Sequence, residues 1–336
     1  RYTDALTLMP AISVFAYWLG GDFALIIAVL AFPILPLSGV FARDDRRPGP
    51  STLRTRQCSV GPQVTRPRTN LRHDIKNAVA RGDIELRYEP QVSTDTGQVI
   101  GLSANPCLRH ATQGEISAAR IYDATAGDEL KEQLSANVIH GAFTALKSWD
   151  AAGLHIPLIT LRFSAARMAD RYLADKVKWE LVRFDLDPRR LVIEVDDFAA
   201  LDPTDEFIKN NCRRLADLGC CIDFRITDHN RASMQVLRRY FVHRIVFSQS
   251  NLGQGRDAAQ HHSLSAILVL ADAAGVKTLA TGVKNAGQHA LLAQLGCQHV
   301  QGHGISAPLS FDQTIQWMSA HKAKLCDMPV IIARNP

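Results

Sequence analysis

Near the carboxyl end, the segment "VKTLATGVKN" (276–285) passes from an apolar, strand-like run into Thr281, Lys284 and Asn285, and a helical pattern follows. In an α/β barrel this kind of junction carries the catalytic groups. Carboxylates placed there can act as general acid or base, or as ligands for a divalent cation. This junction holds no acid. Acids do end two other strand-like runs: Glu194 and Asp197 in "RLVIEVDDF", and Asp223 in "GCCIDF", while Gln301 closes "HVQ".

Other chemistries find less support. The seven cysteines are an odd number without a CxxC pair, and Cys220 and Cys221 sit inside an apolar run, as reduced structural thiols do. The histidines show no zinc-ligand spacing, and the adjacent pair His261–His262 opens a helix on the solvent side. No cofactor is expected. The net charge of +5 comes largely from arginines 43, 46, 47, 54, 56, 66, 68 and 72, so a basic domain face for nucleic acid is not indicated.

The elements that must position these residues follow from periodicity. Strand-like runs lie at 84–90, 97–104, 158–164, 190–195, 219–224, 242–248, 276–281 and 299–304, and amphipathic helices such as 135–153 and 261–275 separate most of them. Eight strands interleaved with helices over about 255 residues predict an α/β protein, a (β/α)8 TIM-like barrel spanning 71–325. Residues 326–336 form a tail. Upstream, 5–21 and 23–42 carry no charge and approach membrane-spanning length, so 1–42 is expected to be a transmembrane hairpin. Residues 43–70, rich in Pro, Arg, Ser and Thr, read as a flexible linker whose arginines put the barrel in the cytoplasm. A buried hairpin packed on the domain is the alternative.

The strand ends carry a wider pattern. "RYEPQVSTDTGQVIG", "LITLRFSAARM", "LDPRRLVIEVDD", "RRLADLGCCIDF" and "LGCQHVQGHGISAP" occur in the order found in the EAL domain, and the chain from about 71 to 320 resembles that family of cyclic di-GMP phosphodiesterases. The resemblance implies a barrel of EAL type whose acids hold two divalent cations. Residue by residue it places Ser103 at the metal-binding glutamate and Cys107 at the phosphate-contacting arginine. Arg162 takes the asparagine ligand, Ile222 the first of the paired aspartates, Val246 the lysine, and Thr281 and Lys284 two further glutamates. Glu194, Asp223 and Gln301 keep the expected residue, and Asp197 retains a second acid. Two acids, Glu194 and Asp223, then face two cations, Arg162 and Lys284, where a complete site is strongly acidic. The glycine-rich turn after the paired aspartates is replaced by "RITDHNRASM", about three residues longer than the family's turn on that alignment.

These substitutions predict a pseudo-enzyme: a regulatory module in a bacterial inner membrane, its barrel in the cytoplasm, acting through cyclic di-GMP, another phosphate ligand or a protein partner, with a homodimer as one form. Arg162 and Lys284, with Arg109 in place of the arginine lost at Cys107, are the candidate anion contacts. Pairing of the two acids with Arg162 and Lys284 is the competing arrangement. A weak phosphodiesterase and a structural remnant without ligand are the alternatives.

Overall fold

The computed structural model describes residues 70–125, 130–196, 205–226, 234–248 and 258–327. The expected hairpin at 1–42, nearly all of the linker, Asp197, most of the loop after Asp223, and the end of the tail lie outside them. Among the described residues no helix is long and apolar enough to cross a membrane.

Nine strands form one sheet: β1 (Glu85–Ser93), β2 (Val99–His110), β3 (Gly114–Ile116), β4 (Ile159–Ser164), β5 (Leu191–Asp196), β6 (Cys221–Ile226), β7 (Arg244–Ser248), β8 (Lys277–Thr281) and β9 (His299–Gln301). Their order is β1-β9-β8-β7-β6-β5-β4-β2, and β1 also pairs with β2, which closes an eight-stranded barrel. β3 is appended to the edge of β2. All eight expected strands are present. The regular β/α alternation does not extend to the start, where β1 runs antiparallel to both β2 and β9. Only residues 94–98 separate β1 from β2, whereas a parallel pair needs a crossover of a dozen residues or more.

The helices pack outside the sheet: α1 (Leu71–Arg81), α2 (Ala118–Thr125), α3 (Leu130–Ala151), α4 (Ala165–Met168), α5 (Leu173–Arg183), α6 (Glu206–Leu218), α7 (Met234–Arg239), α8 (Ala258–Ala274), α9 (Ala286–Gln294) and α10 (Phe311–Asp327). Their boundaries are written locally. Asp205 caps α6 by accepting from the Phe207 and Ile208 N–H groups, and Gly219 ends it at a φ of 104°. Strand alternation sorts the two faces of the sheet. Ile159, Leu161, Phe163, Leu191, Ile193, Val195, Ile222, Phe224 and Ile226 join the core between sheet and helices. The intervening residues point into the barrel. Val192, Val246 and Leu279 are fully buried yet stand apart from that core, as inward positions should.

The loop after β8 is held by close backbone contact. Val283 N–H donates to the Gln301 carbonyl at 3.1 Å, and Gly304 N–H donates to the Val283 carbonyl at 2.8 Å. A Cβ on Gly302 would lie 2.4 Å from Val283 N. Glycine is required there by the approach of the second chain segment, which fixes the "TGVKN" junction against the end of β9.

Candidate functional site

The carboxyl ends of the parallel strands, with the amino-terminal half of β1, form the mouth of the barrel. Its centre is Glu194 on β5, 2 % exposed. Arg225, two residues beyond Asp223 on the same inward face of β6, donates to Glu194 Oε1 from Nε at 2.9 Å and from Nη2 at 2.7 Å. Arg162, its partner across β4 and β5, donates from Nε at 3.3 Å. Arg225 Nη1 also reaches Thr281 Oγ1 at 3.3 Å, spanning from β6 past β7 to β8. Asp196 adds a carboxylate 3.5 Å from Arg225 Nε. Burial pushes the Glu194 carboxyl up, but Arg225 and Arg162 more than offset it and hold the group below its ordinary value. Burial likewise opposes the Arg162 charge, and Glu194 and Asp196 overcome it and raise the guanidinium.

A second polar group lies on the β1 side. Glu89 accepts from Gln301 Nε2 at 2.9 Å and from Asn105 Nδ2 at 3.3 Å, and Asn105 also donates to Ser103 Oγ at 3.4 Å. From there a chain of bonds descends the barrel. Gln91 Nε2 donates to Gln301 Oε1 at 3.0 Å, while its Oε1 accepts from Arg244 Nη2 at 3.0 Å. Arg244 in turn donates from Nε to Asp223 Oδ2 at 2.7 Å. Asp223 and Arg244 are 0 % and 1 % exposed. His243 Nδ1 lies 3.7 Å from Asp223 Oδ1 at the base, and this carboxylate with Cys221 raises the imidazole to about 9.

The structure therefore brings Glu194, Arg162 and Thr281 together and puts Gln301 beside them on the β1 side. It seats Asp223 deeper, on Arg244. Of the pairings open in the sequence, Glu194 with Arg162 forms, whereas Asp223 takes Arg244 and not Lys284. Lys284 is exposed and makes no ion pair among the described residues. Ile222 faces the helices within the hydrophobic core, so the position assigned to the first paired aspartate cannot be a ligand position. The reason is strand phase: β6 continues to Ile226, and the inward residue at its end is Arg225. Arg225 and Ile226, the first two residues of the segment expected as a longer loop, are strand. Val246 is buried inside the barrel. Cys107 is buried next to Arg87 and Glu115, and burial and the Glu115 contact push its thiol up to about 12. Arg109 is tied to Glu85 at 3.3 Å.

Five residues of the mouth and its base, Arg225, Arg244, Asn105, Gln91 and Asp196, lie outside the set that motif spacing singles out, and Glu89 differs from the glutamine usual at its position. Counting alternate residues from Asp223 along β6 finds Arg225. A pair of divalent cations needs several carboxylate oxygens directed at it. Here the central carboxylate is held by two guanidiniums, and among the described residues no group of three or more His, Cys, Asp or Glu is arranged to hold a metal ion. The donor set described does not fit the cation pair.

Comparison with known proteins agrees with the fold. Residues 72–308 match the EAL domain family model. The bifunctional diguanylate cyclase/cyclic di-GMP phosphodiesterase MucR of Pseudomonas aeruginosa is 25% identical over 246 residues, covering 73% of this chain and 36% of that protein. The cyclic di-GMP phosphodiesterase NbdA of the same organism is 24% identical over 253 residues, covering 75% and 32%. The chain thus spans about a third of the length of these relatives. A solved structure of the PaMucR phosphodiesterase in complex with c-di-GMP superposes with a TM-score of 0.67 at 25% identity, covering 72% of this chain and 98% of that one.

Proposed function

The chain belongs to the EAL domain family, and from that premise we propose that it is a catalytically inactive regulatory module of cyclic di-GMP signalling. In this reading it acts by binding a ligand or a protein at the cytoplasmic face of a bacterial inner membrane, anchored by the uncharged segments within 1–42. The observation that carries the proposal is the state of Glu194. An acid that must face a cation is instead buried in contact with Arg225 and Arg162. Ser103, Thr281 and Arg225 supply no carboxylate around it, so the charge that would draw a divalent ion is already neutralised inside the protein.

Ligand binding in this reading needs no metal. Arg162 and Arg225 present guanidinium edges at the mouth, Lys284 adds an exposed ammonium, and Arg109 stands near the end of β2, so a phosphate group meets these cations alongside the Asp196 and Glu85 carboxylates. The test has two arms on the full chain. Incubation of cyclic di-GMP with Mg²⁺ or Mn²⁺ is expected to give no hydrolysis, and turnover that disappears in Glu194→Ala would sink the proposal. Calorimetry in EDTA reads binding directly, with Arg162→Ala expected to weaken it. Membrane fractionation, with a reporter after Pro336 active only in the cytoplasm, tests the location.

A further inference from the structure

Away from the mouth, Arg167 on α4 is 7 % exposed, and its Nε and Nη1 are buried without a hydrogen-bond partner. The guanidinium lies 4.5 Å over the Phe163 ring. Glu132 and Asp170 stand near enough to support its charge, yet neither bonds to those two nitrogens. Buried donors without acceptors are rare in folded proteins because each costs free energy that an acceptor would recover.

Arg167 lines a groove of about 740 Å³ between α3 and α5, within the size range of small-molecule sites. Ala136 and Ile139 of α3 give it an apolar wall. Opposite them stands Trp179 of α5, 60 % exposed, with the Arg183 guanidinium 5.2 Å over its ring. Glu180 also lines the groove, and its Oε2 is buried without a partner. Lys176 is taken by Asp170 at 2.6 Å, which leaves Arg167 as the unanswered cation.

We propose that this groove is a binding site for a small monocarboxylate with a flat apolar body. Its carboxylate pairs with the Arg167 guanidinium where that side chain lines the groove, its ring packs between Ile139 and Trp179, and a polar N–H or O–H substituent, where the ligand has one, meets Glu180. Shape selects the carboxylate over phosphate. With Arg183 over Trp179, the cations Arg167, Lys176 and Arg183 balance Glu132, Asp175 and Glu180, and a planar monoanion with two oxygens matches the guanidinium fork without adding a second negative charge. The site shares no residue with the barrel mouth, so its failure leaves the proposed function standing.

The test titrates 3-phenylpropionate into the full chain by calorimetry, with 3-phenylpropanamide and phenyl phosphate as comparison ligands. The acid is expected to bind saturably and to raise Tm, with the amide and the phosphate each weaker by about tenfold or more. Arg167→Met keeps the buried stem and removes the donors. It is expected to abolish acid binding while the unliganded Tm stays level or rises, since an unpartnered buried charge has been removed. Trp179→Ala, at an exposed side chain, is expected to weaken binding in a protein of unchanged fold, and it carries the test if Arg167→Met fails to fold. No saturable binding at millimolar acid, equal binding of acid and amide, tighter binding of the phosphate, or undiminished binding by either variant overturns the proposal.

Discussion

Replacing Glu194 by Gln separates a clamped carboxylate from one that awaits a cation, because the two arrangements give opposite signs. Acids gathered to hold metal repel one another in its absence, so neutralising one stabilises the metal-free protein. A clamped acid does the reverse. Gln keeps the size of the side chain but leaves the Arg162 and Arg225 side chains, 25% and 15% exposed, with Asp196 as their nearest remaining acid. Removing one member of a buried ion pair costs about 3–5 kcal/mol, and the partial exposure of both arginines brings this site down to about 2–3 kcal/mol. For a domain of this size that corresponds to a fall in Tm of about 4–12 °C. The assay is thermal unfolding of the full chain and Glu194→Gln in EDTA near neutral pH. A Tm that holds or rises refutes the clamp, and with it the argument that the mouth is closed to cations. The pH dependence follows the same logic. Glu194 is held below its ordinary value of 4.5, so its contribution is complete above that value and is lost as pH falls through the lower folded value. The Gln variant should lose that part of the acid limb.

Three further outcomes test other parts of the structure. His243 is raised from 6.5 to about 9, so its contribution to stability is complete below pH 6.5 and lost as pH rises towards 9; His243→Asn should flatten the stability profile across that window, and an unchanged slope would contradict the Asp223 contact. Arg244→Met strands the fully buried Asp223 with only His243 beside it, an expected loss of about 3–5 kcal/mol by urea unfolding. Gly302→Ala would bring a Cβ to 2.4 Å from Val283 N, whereas at Gly82 nothing lies within 4 Å, so the cost at 302 should exceed the ~1–2 kcal/mol expected at 82 for its left-handed backbone, and equal costs would disprove the loop contact.

Alternation and length make the barrel legible in the sequence. Most of the eight strands show an apolar outer face, β8 with Thr278 and Ala280 being the weakest, and Gly or short polar segments punctuate the joins. β3 escapes because three residues, Gly114–Ile116, carry no period, and the reversed direction of β1 is encoded in the shortness of 94–98 rather than in any composition. At the site, Glu194 is legible because it lies on the inward phase of an otherwise apolar strand. Ile222 is misplaced when motif letters are matched without regard to phase. A strand has only two faces, and fixing Asp223 inside puts Ile222 and Phe224 outside and Arg225 inside at the strand's end. The clamp on Glu194 is half visible, since Arg162 lies beside it in register while Arg225 needs the strand's true end. No sequence pattern announces Arg244 as the partner of Asp223, because their approach depends on register between neighbouring strands.

The interlocking of these pairs bears on what the mouth can become. Arg225 satisfies Glu194 and touches Thr281; Arg244 satisfies Asp223 and is bonded to Gln91, which is bonded in turn to Gln301. Glu194 and Asp223 thus each belong to a neutral unit completed by arginine from an adjacent strand. Returning an acid to one position, for example Arg225→Asp, removes the main counter-charge of Glu194 and sets a second carboxylate beside it. The protein must then absorb both the lost pair and the new repulsion unless a cation arrives, and Arg162 still contests the site. Arg225→Asp therefore moves this mouth towards cation binding only with a large loss of stability. On the proposed function, Glu194 and Asp223 act as structural anions, and the mouth binds through its guanidinium edges and polar rim.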